Sequence, residues 1–484
     1  MSQPLNIILL MADQWRWDTV FRPGHVCRTP QLDRFAERAQ PFTNAFTCCP
    51  LCTPARGALM TGKWPHQNHL MDNVSGGSYH PHGKLHMSHR TYLERLRDDA
   101  GYALAYCGKW HLGDATLHER GIHNVRHSDG GAPEHGTTPS RPNRPKLQGE
   151  WFTPFYASFT EGDTLDAVRA RAFRQQLAQL AAGDEPFCAM LSFSGPHFPH
   201  TVPRRFLEPY SDTSPGSMPT NYCTPFCEPG KPVAQSRPYW PCQDTRGLTP
   251  DDWAKTCAHY WAFCTHLDDE LGAVFGTIGE LGLWENSVVA FFADHGEMLG
   301  AHGNFDKGPY FYDEVVRIPL IVADPAGRPP RDAGSFVGLR DLFPTLIDLA
   351  GASHLLADAE RTRSGWRTAH DAALITYDAY QGREFKLRGI RTERWKYTWS
   401  PNDLCELYDL ADDPGERRNR IGEPACQPIT QRLHTRLRNW MAAEDDVLLH
   451  ARHLLPVGAY ADGRGVEEQH DHGTRPPTRG HGPA

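Results

Sequence analysis

The sequence predicts an α/β fold: a large mixed, mostly parallel central sheet flanked by helices, with a smaller C-terminal α+β subdomain carrying an antiparallel sheet. Three observations predict it. Continuous apolar runs of strand length, such as 6–12 and 287–293, suit strands buried on both faces. They alternate with amphipathic helical stretches over the first two-thirds of the chain. Beyond about residue 361 the pattern changes to short alternating stretches of strand character.

The elements follow in order. Residues 6–12 read as the first strand. Residues 91–99 carry Tyr92, Leu93 and Leu96 at helical spacing, Gly101 punctuates the helix, and 102–107 read as the next strand. Residues 163–182 form an amphipathic helix with Leu165, Val168, Ala172, Leu177 and Leu180 on one side. A strand is expected at 187–193. Thr249 is the expected N-cap of a long helix reaching about Leu281, and 287–293 is another buried strand. Residues 341–350 read as a short apolar helix. Strands are expected at 373–377, 387–392, 396–399 and 404–410, with a helix bearing Ile429, Leu433, Leu437 and Trp440 packed on them. The expected organisation is a main α/β domain at 1–360, an α+β subdomain at 361–445 and a polar tail at 446–484. The tail is either disordered or docked on a neighbouring subunit of a homo-oligomer.

Composition narrows the class. A chain of 484 residues can bury a large core, and 43 glycines with 40 prolines predict long ordered loops rather than a helical bundle. The net charge of −8 argues against a nucleic-acid partner. The longest apolar runs are too short to cross a membrane. The N-terminus lacks a basic segment and a long apolar core, so no signal peptide is expected and a cytoplasmic location is. The 13 cysteines are odd in number and irregularly spaced, so reduced thiols are expected. Cys223, Cys227 and Cys242 lack the spacing and the paired histidines of a zinc module.

Ligands of open α/β sheets gather beyond the carboxyl ends of the strands. The first strand ends in Asp13-Gln14. The strand at 102–107 is followed by Gly108-Lys109-Trp110-His111-Leu112-Gly113. The strand at 187–193 leads to His197, and that at 287–293 ends in Asp294-His295-Gly296-Glu297. Each alone is as readily a helix cap or a structural histidine. Together they suggest a metal site with acids and bases around it. Cys52 begins a segment, Cys52-Thr53-Pro54-Ala55-Arg56, that looks like a turn feeding a helix. Spacing leaves two readings open: a thiol acidified at a helix N-terminus, or a partly buried thiol beside a capped helix.

These residues resemble a known family. Cys52-x-Pro54-x-Arg56 followed by Leu59-x-Thr61-Gly62 resembles the signature of type I, formylglycine-dependent sulfatases in the alkaline phosphatase superfamily. Gly108-Lys109-Trp110-His111-Leu112-Gly113 is similar to their second signature. Asp294-His295-Gly296-Glu297 with Lys307, Asp341-Leu342-x-Pro344-Thr345 and Glu406-Leu407-Tyr408-Asp409-Leu410 are also family-like. The resemblance implies an alkaline phosphatase-like fold and a sulfuric ester hydrolase.

By that resemblance, Cys52 is oxidised to formylglycine by a maturation enzyme that reads Pro54 and Arg56. Asp13, Gln14, Asp294 and His295, with the residue-52 oxygen, hold a divalent cation. Arg56 and Lys109 stabilise the hydrated aldehyde, His111 holds its second hydroxyl, and His197 and Lys307 face the sulfate and the leaving oxygen. Gln14 and His295 stand where many sulfatases carry Asp and Asn. Calcium is expected first on family grounds, and manganese, which accepts imidazole readily, next. The pairs at Asp13-Gln14 and Asp294-His295 also resemble choline sulfatases and phosphonate monoester hydrolases. The segment 50–56 and Asp72-Asn73 resemble choline sulfatase too. The expected substrate is a small-molecule or carbohydrate sulfate ester. The alternatives are a phosphonate monoester or phosphodiester hydrolase and, more remotely, a non-catalytic binder of sulfated ligands. Loops at 114–160 and 200–248 are expected to wall the pocket. Arg126, Arg141, Arg144, Trp15, Trp17, Trp151 and Trp240 are weighed there against plain surface and core roles.

Overall fold

The computed structural model describes residues 4–20, 25–74, 84–113, 116–128, 146–147, 150–151, 158–217, 219–222, 230–236, 238–239, 243–332 and 334–450. Its central sheet is built from β1 (Asn6–Asp13), β2 (Gln40–Pro41), β3 (Ala103–Lys109), β4 (Asn124–Ser128), β5 (Phe187–Pro196), β6 (Ser287–Ala293) and β7 (Leu320–Ala323). The spatial order is β2-β7-β6-β1-β5-β3-β4. The five strands from β6 to β4 are parallel; β7 and β2 add an antiparallel edge. The sequence reading anticipates the parallel centre. It misses β7 and β2, which are too short to show a period, and β4 at the opposite edge, which falls within the stretch expected to be a pocket-walling loop.

β1 lies at the middle of this sheet, and Ile7 through Ala12 have no solvent exposure. Full burial of each large aliphatic side chain stabilises the fold by about 1.5–3 kcal/mol. That explains why the run is continuous rather than alternating.

The flanking helices are α1 (Cys52–Thr61), α2 (Tyr92–Ala100), α3 (Leu165–Ala181), α4 (Pro250–Glu280) and α5 (Leu342–Leu349). Thr91 opens α2 with a capping box: its side chain accepts from the Glu94 amide, and the Glu94 carboxylate accepts from the Thr91 amide at 2.8 Å. Thr249 caps α4 as expected, with Pro250 in the first turn. α3 and α4 pack on each other, and α3 covers β3 and β5.

A second sheet is antiparallel: β8 (Ala372–Tyr380), β9 (Arg383–Thr392), β10 (Trp395–Trp399) and β11 (Glu406–Asp409). α6 (Gln427–Ala443) lays Leu433, Leu437 and Met441 on Ile390, Tyr397 and Leu407. The hairpin joining β8 and β9 turns at Gln381 and Gly382, both with positive φ (54° and 73°).

The ten described cysteines are free and buried. Cys223, Cys227 and Cys242 lie outside the described residues, as do Arg141, Arg144, Trp240, the side chains of Arg126 and Trp151, and the chain beyond residue 450. Trp15 is a core residue, edge-on to Phe291, with its indole N–H donated to Thr19. Trp17 lies under the Arg317 guanidinium at 3.8 Å. Among the described residues, no helix is long and apolar enough to cross a membrane.

Candidate active site

Four parallel strand ends deliver their residues to one edge of the sheet. β1 ends at Asp13, β3 at Lys109, and β5 runs on to His197. β6 hands over to Asp294 and His295. The ladder continues past the strands, since the His197 amide donates to the Asp13 carbonyl at 3.1 Å and the Asp294 amide to that of Ala12 at 3.3 Å. Two glycines permit the close packing. A side chain at Gly108 would collide with the Ser192 carbonyl, and one at Gly296 with the Glu314 carbonyl.

Cys52 occupies the first turn of α1, a helix whose ten residues are all buried. Its Sγ lies 3.1 Å from His295 Nε2, 3.7 Å from Asp13 Oδ1 and 3.9 Å from Lys109 Nζ. The helix start is held from outside. The Thr53 amide donates to Asn73 Oδ1 at 3.0 Å, and the Thr53 hydroxyl donates to the His111 carbonyl at 2.8 Å. Asn73→Ala is expected to cost about 1 kcal/mol, the usual worth of a capping side chain. Urea unfolding checks this, and an unchanged midpoint would remove Asn73 from that role.

Arg56, one turn into α1, knits the site together. Its guanidinium donates to Asp13 Oδ2 (2.7 Å), Asp294 Oδ2 (2.8 Å), the Lys109 carbonyl (2.8 Å) and Ser192 Oγ (3.0 Å). Lys109 Nζ pairs with Asp13 Oδ2 at 2.6 Å. Burial alone would raise the Asp13 carboxyl, but Lys109 and Arg56 outweigh it and hold it well below the ordinary carboxylate range.

The histidines differ in charge. His295 Nδ1 faces the Gly296 carbonyl at 2.9 Å, which leaves Nε2 toward Cys52. Burial would lower His295; Asp294 and Cys52 prevail and raise it to about 9. Burial, reinforced by Lys109 and Arg56, holds His111 well below its ordinary value. Burial, reinforced by Lys307 and Lys109, does the same to His197. Neutral His197 accepts from Lys307 Nζ at 2.9 Å through Nε2 and donates from Nδ1 to the Phe198 carbonyl at 2.6 Å. Burial would lower Lys307, but Asp306, Cys52 and Asp13 raise it, so it keeps its proton.

Gln14 has a strained φ of 66°. Its Oε1 accepts from Lys307 Nζ at 2.6 Å, and its Nε2 donates to Glu297 and to Asp306 Oδ1. Burial, with Asp306 beside it, pushes Glu297 up to about 7. In the sequence Glu297 is marked only as part of a motif, and Asp306, Ser192, Gln243 and Tyr380 carry no motif at all. Asp306 adjoins Lys307, which is the one local signal for it.

Asp13, Cys52, Asp294 and His295 place one ligand atom each within 4.8 Å of one another, all buried. Oxygen ligands at 2.3–2.6 Å from one cation lie at most about 5 Å apart, so this donor set fits a divalent ion. Lys109 and Arg56 already neutralise part of its negative charge.

A buried carboxylate–imidazole cluster beyond parallel strand ends, with cations beside it, defines a hydrolase site for an anionic ester. A family model described as Sulfatase matches residues 5–352, and one described as N-sulphoglucosamine sulphohydrolase, C-terminal, matches 300–443. The chain belongs to the sulfatase family, within the alkaline phosphatase-like superfamily, and is a sulfuric ester hydrolase. It is similar to the choline-sulfatase of Rhizobium meliloti (strain 1021), at 28% identity over 91% of this chain and 87% of the relative. The ulvan-active sulfatase of Formosa agariphila is 27% identical over 95% and 85%. The phosphonate monoester hydrolase of Agrobacterium radiobacter shares the fold, with a TM-score of 0.70, 22% identity and coverage of 91% and 96%.

Proposed function

We propose that the protein hydrolyses a sulfate monoester with a nucleophile derived from Cys52, once a maturation enzyme has oxidised that cysteine to formylglycine. One observation carries this reading: Cys52 Sγ stands within 4 Å of His295 Nε2, Asp13 Oδ1 and Lys109 Nζ, aimed into the candidate cation pocket. When formed, the hydrated aldehyde supplies one hydroxyl to attack sulfur as the ester oxygen leaves, and a second whose deprotonation re-forms the aldehyde and expels sulfate from carbon. When bound, a divalent cation, calcium first and manganese next, supplies positive charge against the sulfate oxygens. Asp13, Gln14, Asp294 and His295 would hold it.

The chain's own residues do the rest. Arg56 fixes both carboxylates in place, and Lys109 offsets negative charge beside residue 52. Neutral His111 is the base that takes the proton of the second hydroxyl. Lys307 keeps a proton in a buried site and delivers it to the leaving oxygen, with neutral His197 holding its ammonium.

The test has two parts. Peptide mass spectrometry across Cys52, after expression beside a maturation enzyme, is expected to find the aldehyde. Rates on choline sulfate, sulfated sugars and 4-nitrophenyl sulfate are then compared with an aryl phosphonate, and a sulfate is expected to be fastest. Faster phosphonate turnover would replace this reading with the phosphonate hydrolase that the Gln14 and His295 donors also suit.

Cation binding carries a pH signature. With the unconverted thiol at residue 52, His295 is protonated up to about pH 9 in the cation-free protein. It must lose that proton to become a ligand. Affinity is therefore expected to rise with pH, by up to about tenfold per unit, and to level off above about 9. Calorimetric titration of calcium or manganese in buffers of different ionisation enthalpy checks it. A pH-independent affinity with no proton release would remove His295 from the ligand set.

A further inference from the structure

The hairpin joining β8 and β9 reaches out of the second sheet into the site and is held there at two points. Asp72, fully buried, accepts the amides of Gln381 through Oδ1 (3.2 Å) and Gly382 through Oδ2 (2.9 Å). Consecutive residues with positive φ turn their amides toward one carboxylate, which makes the tip an anion-binding turn satisfied from within the chain. One residue earlier, the buried Tyr380 hydroxyl donates to Asp306 Oδ2 at 3.2 Å. Gln243 Nε2 donates to the same oxygen at 3.1 Å and to the Lys307 carbonyl at 2.7 Å. The other oxygen, Asp306 Oδ1, accepts from Lys307 Nζ at 2.9 Å.

An ammonium has three N–H bonds to direct. Those of Lys307 meet Asp306 Oδ1, Gln14 Oε1 and His197 Nε2. Its aim therefore depends on how Asp306 is turned, and the hydroxyl of Tyr380 and the amide of Gln243 clamp the far oxygen of that carboxylate. These bonds end on Asp306 and on the Lys307 backbone, not on the Lys307 ammonium. They act through another residue.

We propose that this hairpin is a positioning arm for Lys307: Tyr380, with Gln243, sets the Asp306 carboxylate that aims the ammonium, and Asp72 latches the arm. The proposal rests on Lys307 as the proton source for the leaving group. A mis-aimed ammonium delivers its proton poorly. That matters for an alkyl sulfate, whose alkoxide cannot leave unprotonated. It matters little for 4-nitrophenyl sulfate, whose phenolate leaves unaided.

The experiment uses the full, converted chain, with rates normalised to the fraction of residue 52 in the aldehyde form. Tyr380→Phe keeps the ring and removes one hydroxyl. It is expected to lower kcat on an alkyl sulfate about tenfold, while kcat on 4-nitrophenyl sulfate and both KM values stay within about twofold. Asp72→Asn is expected to give the same selective loss. Equal losses on both esters, or none on either, in Tyr380→Phe would overturn the arm. Lys307→Ala separates the two levels of the argument. If it too slows both esters equally, the assignment of Lys307 as proton source fails, and the arm with it. If Lys307→Ala is selective and Tyr380→Phe is not, the arm alone fails.

Discussion

Cys52→Ala is expected to lose essentially all sulfate ester turnover, by on the order of 10⁴–10⁶ in kcat, while remaining folded. The reason is chemical. Alanine can become neither a thiolate nor an aldehyde, and among the described residues Cys52 is the one cysteine in the cluster with Asp13, Asp294 and His295. The structural cost is small because α1 keeps its anchors. The Asn73 cap, the Thr53 hydroxyl bond and the four Arg56 contacts all lie on neighbouring residues. Single-turnover assays with 4-nitrophenyl sulfate, alongside circular dichroism, check both halves. Residual turnover above about 1% in a folded Cys52→Ala chain would mean that the nucleophile lies elsewhere.

The largest stability effect is expected at Arg56. Asp13 and Asp294 have no solvent exposure, and both carboxylates end on its guanidinium. Truncation to alanine would leave Asp294 with only the amides of Gln14 and His295 as hydrogen-bond donors, and Asp13 leaning on Lys109. Removing one partner of a buried ion pair costs about 3–5 kcal/mol, because the remaining charge is neither solvated nor paired. Lysine is no remedy, since one ammonium cannot reproduce a planar fork that spans two carboxylates. A divalent cation between the same carboxylates should recover part of the loss. Urea unfolding in chelator and in saturating calcium measures both quantities. An unchanged midpoint in chelator would show that the carboxylates do not depend on Arg56.

Much of this site is legible in the sequence for a topological reason. Parallel strands end at one edge, so residues that follow apolar runs, Asp13, Lys109, His197, Asp294 and His295, come together without knowledge of any contact. The central strands and long helices are legible through period and caps, as at Thr91 and Thr249. What escapes is whatever depends on distant pairing. Gln40–Pro41 is an edge strand and Leu320–Ala323 lies between it and Ser287–Ala293; both are too short to show alternation. Tyr380 and Gln243 reach Asp306 across 74 and 63 residues, and nothing local marks them. Gln14 is visible at its strand end. Its engagement by Lys307, Glu297 and Asp306 rests on a strained backbone that no spacing rule supplies.

The complete burial of α1 has a consequence for biosynthesis. Every residue from Cys52 to Thr61 is shielded, so no second enzyme can grip this segment once the chain has closed around it. Under the proposed maturation, oxidation and folding are competitors for the same stretch of polypeptide. The yield of active protein is then set by a race, with the modifying enzyme acting on the nascent or still open chain. A substitution that slows closure without preventing it would increase the modified fraction, and one that speeds closure would leave more of the chain as an inert, well-folded thiol.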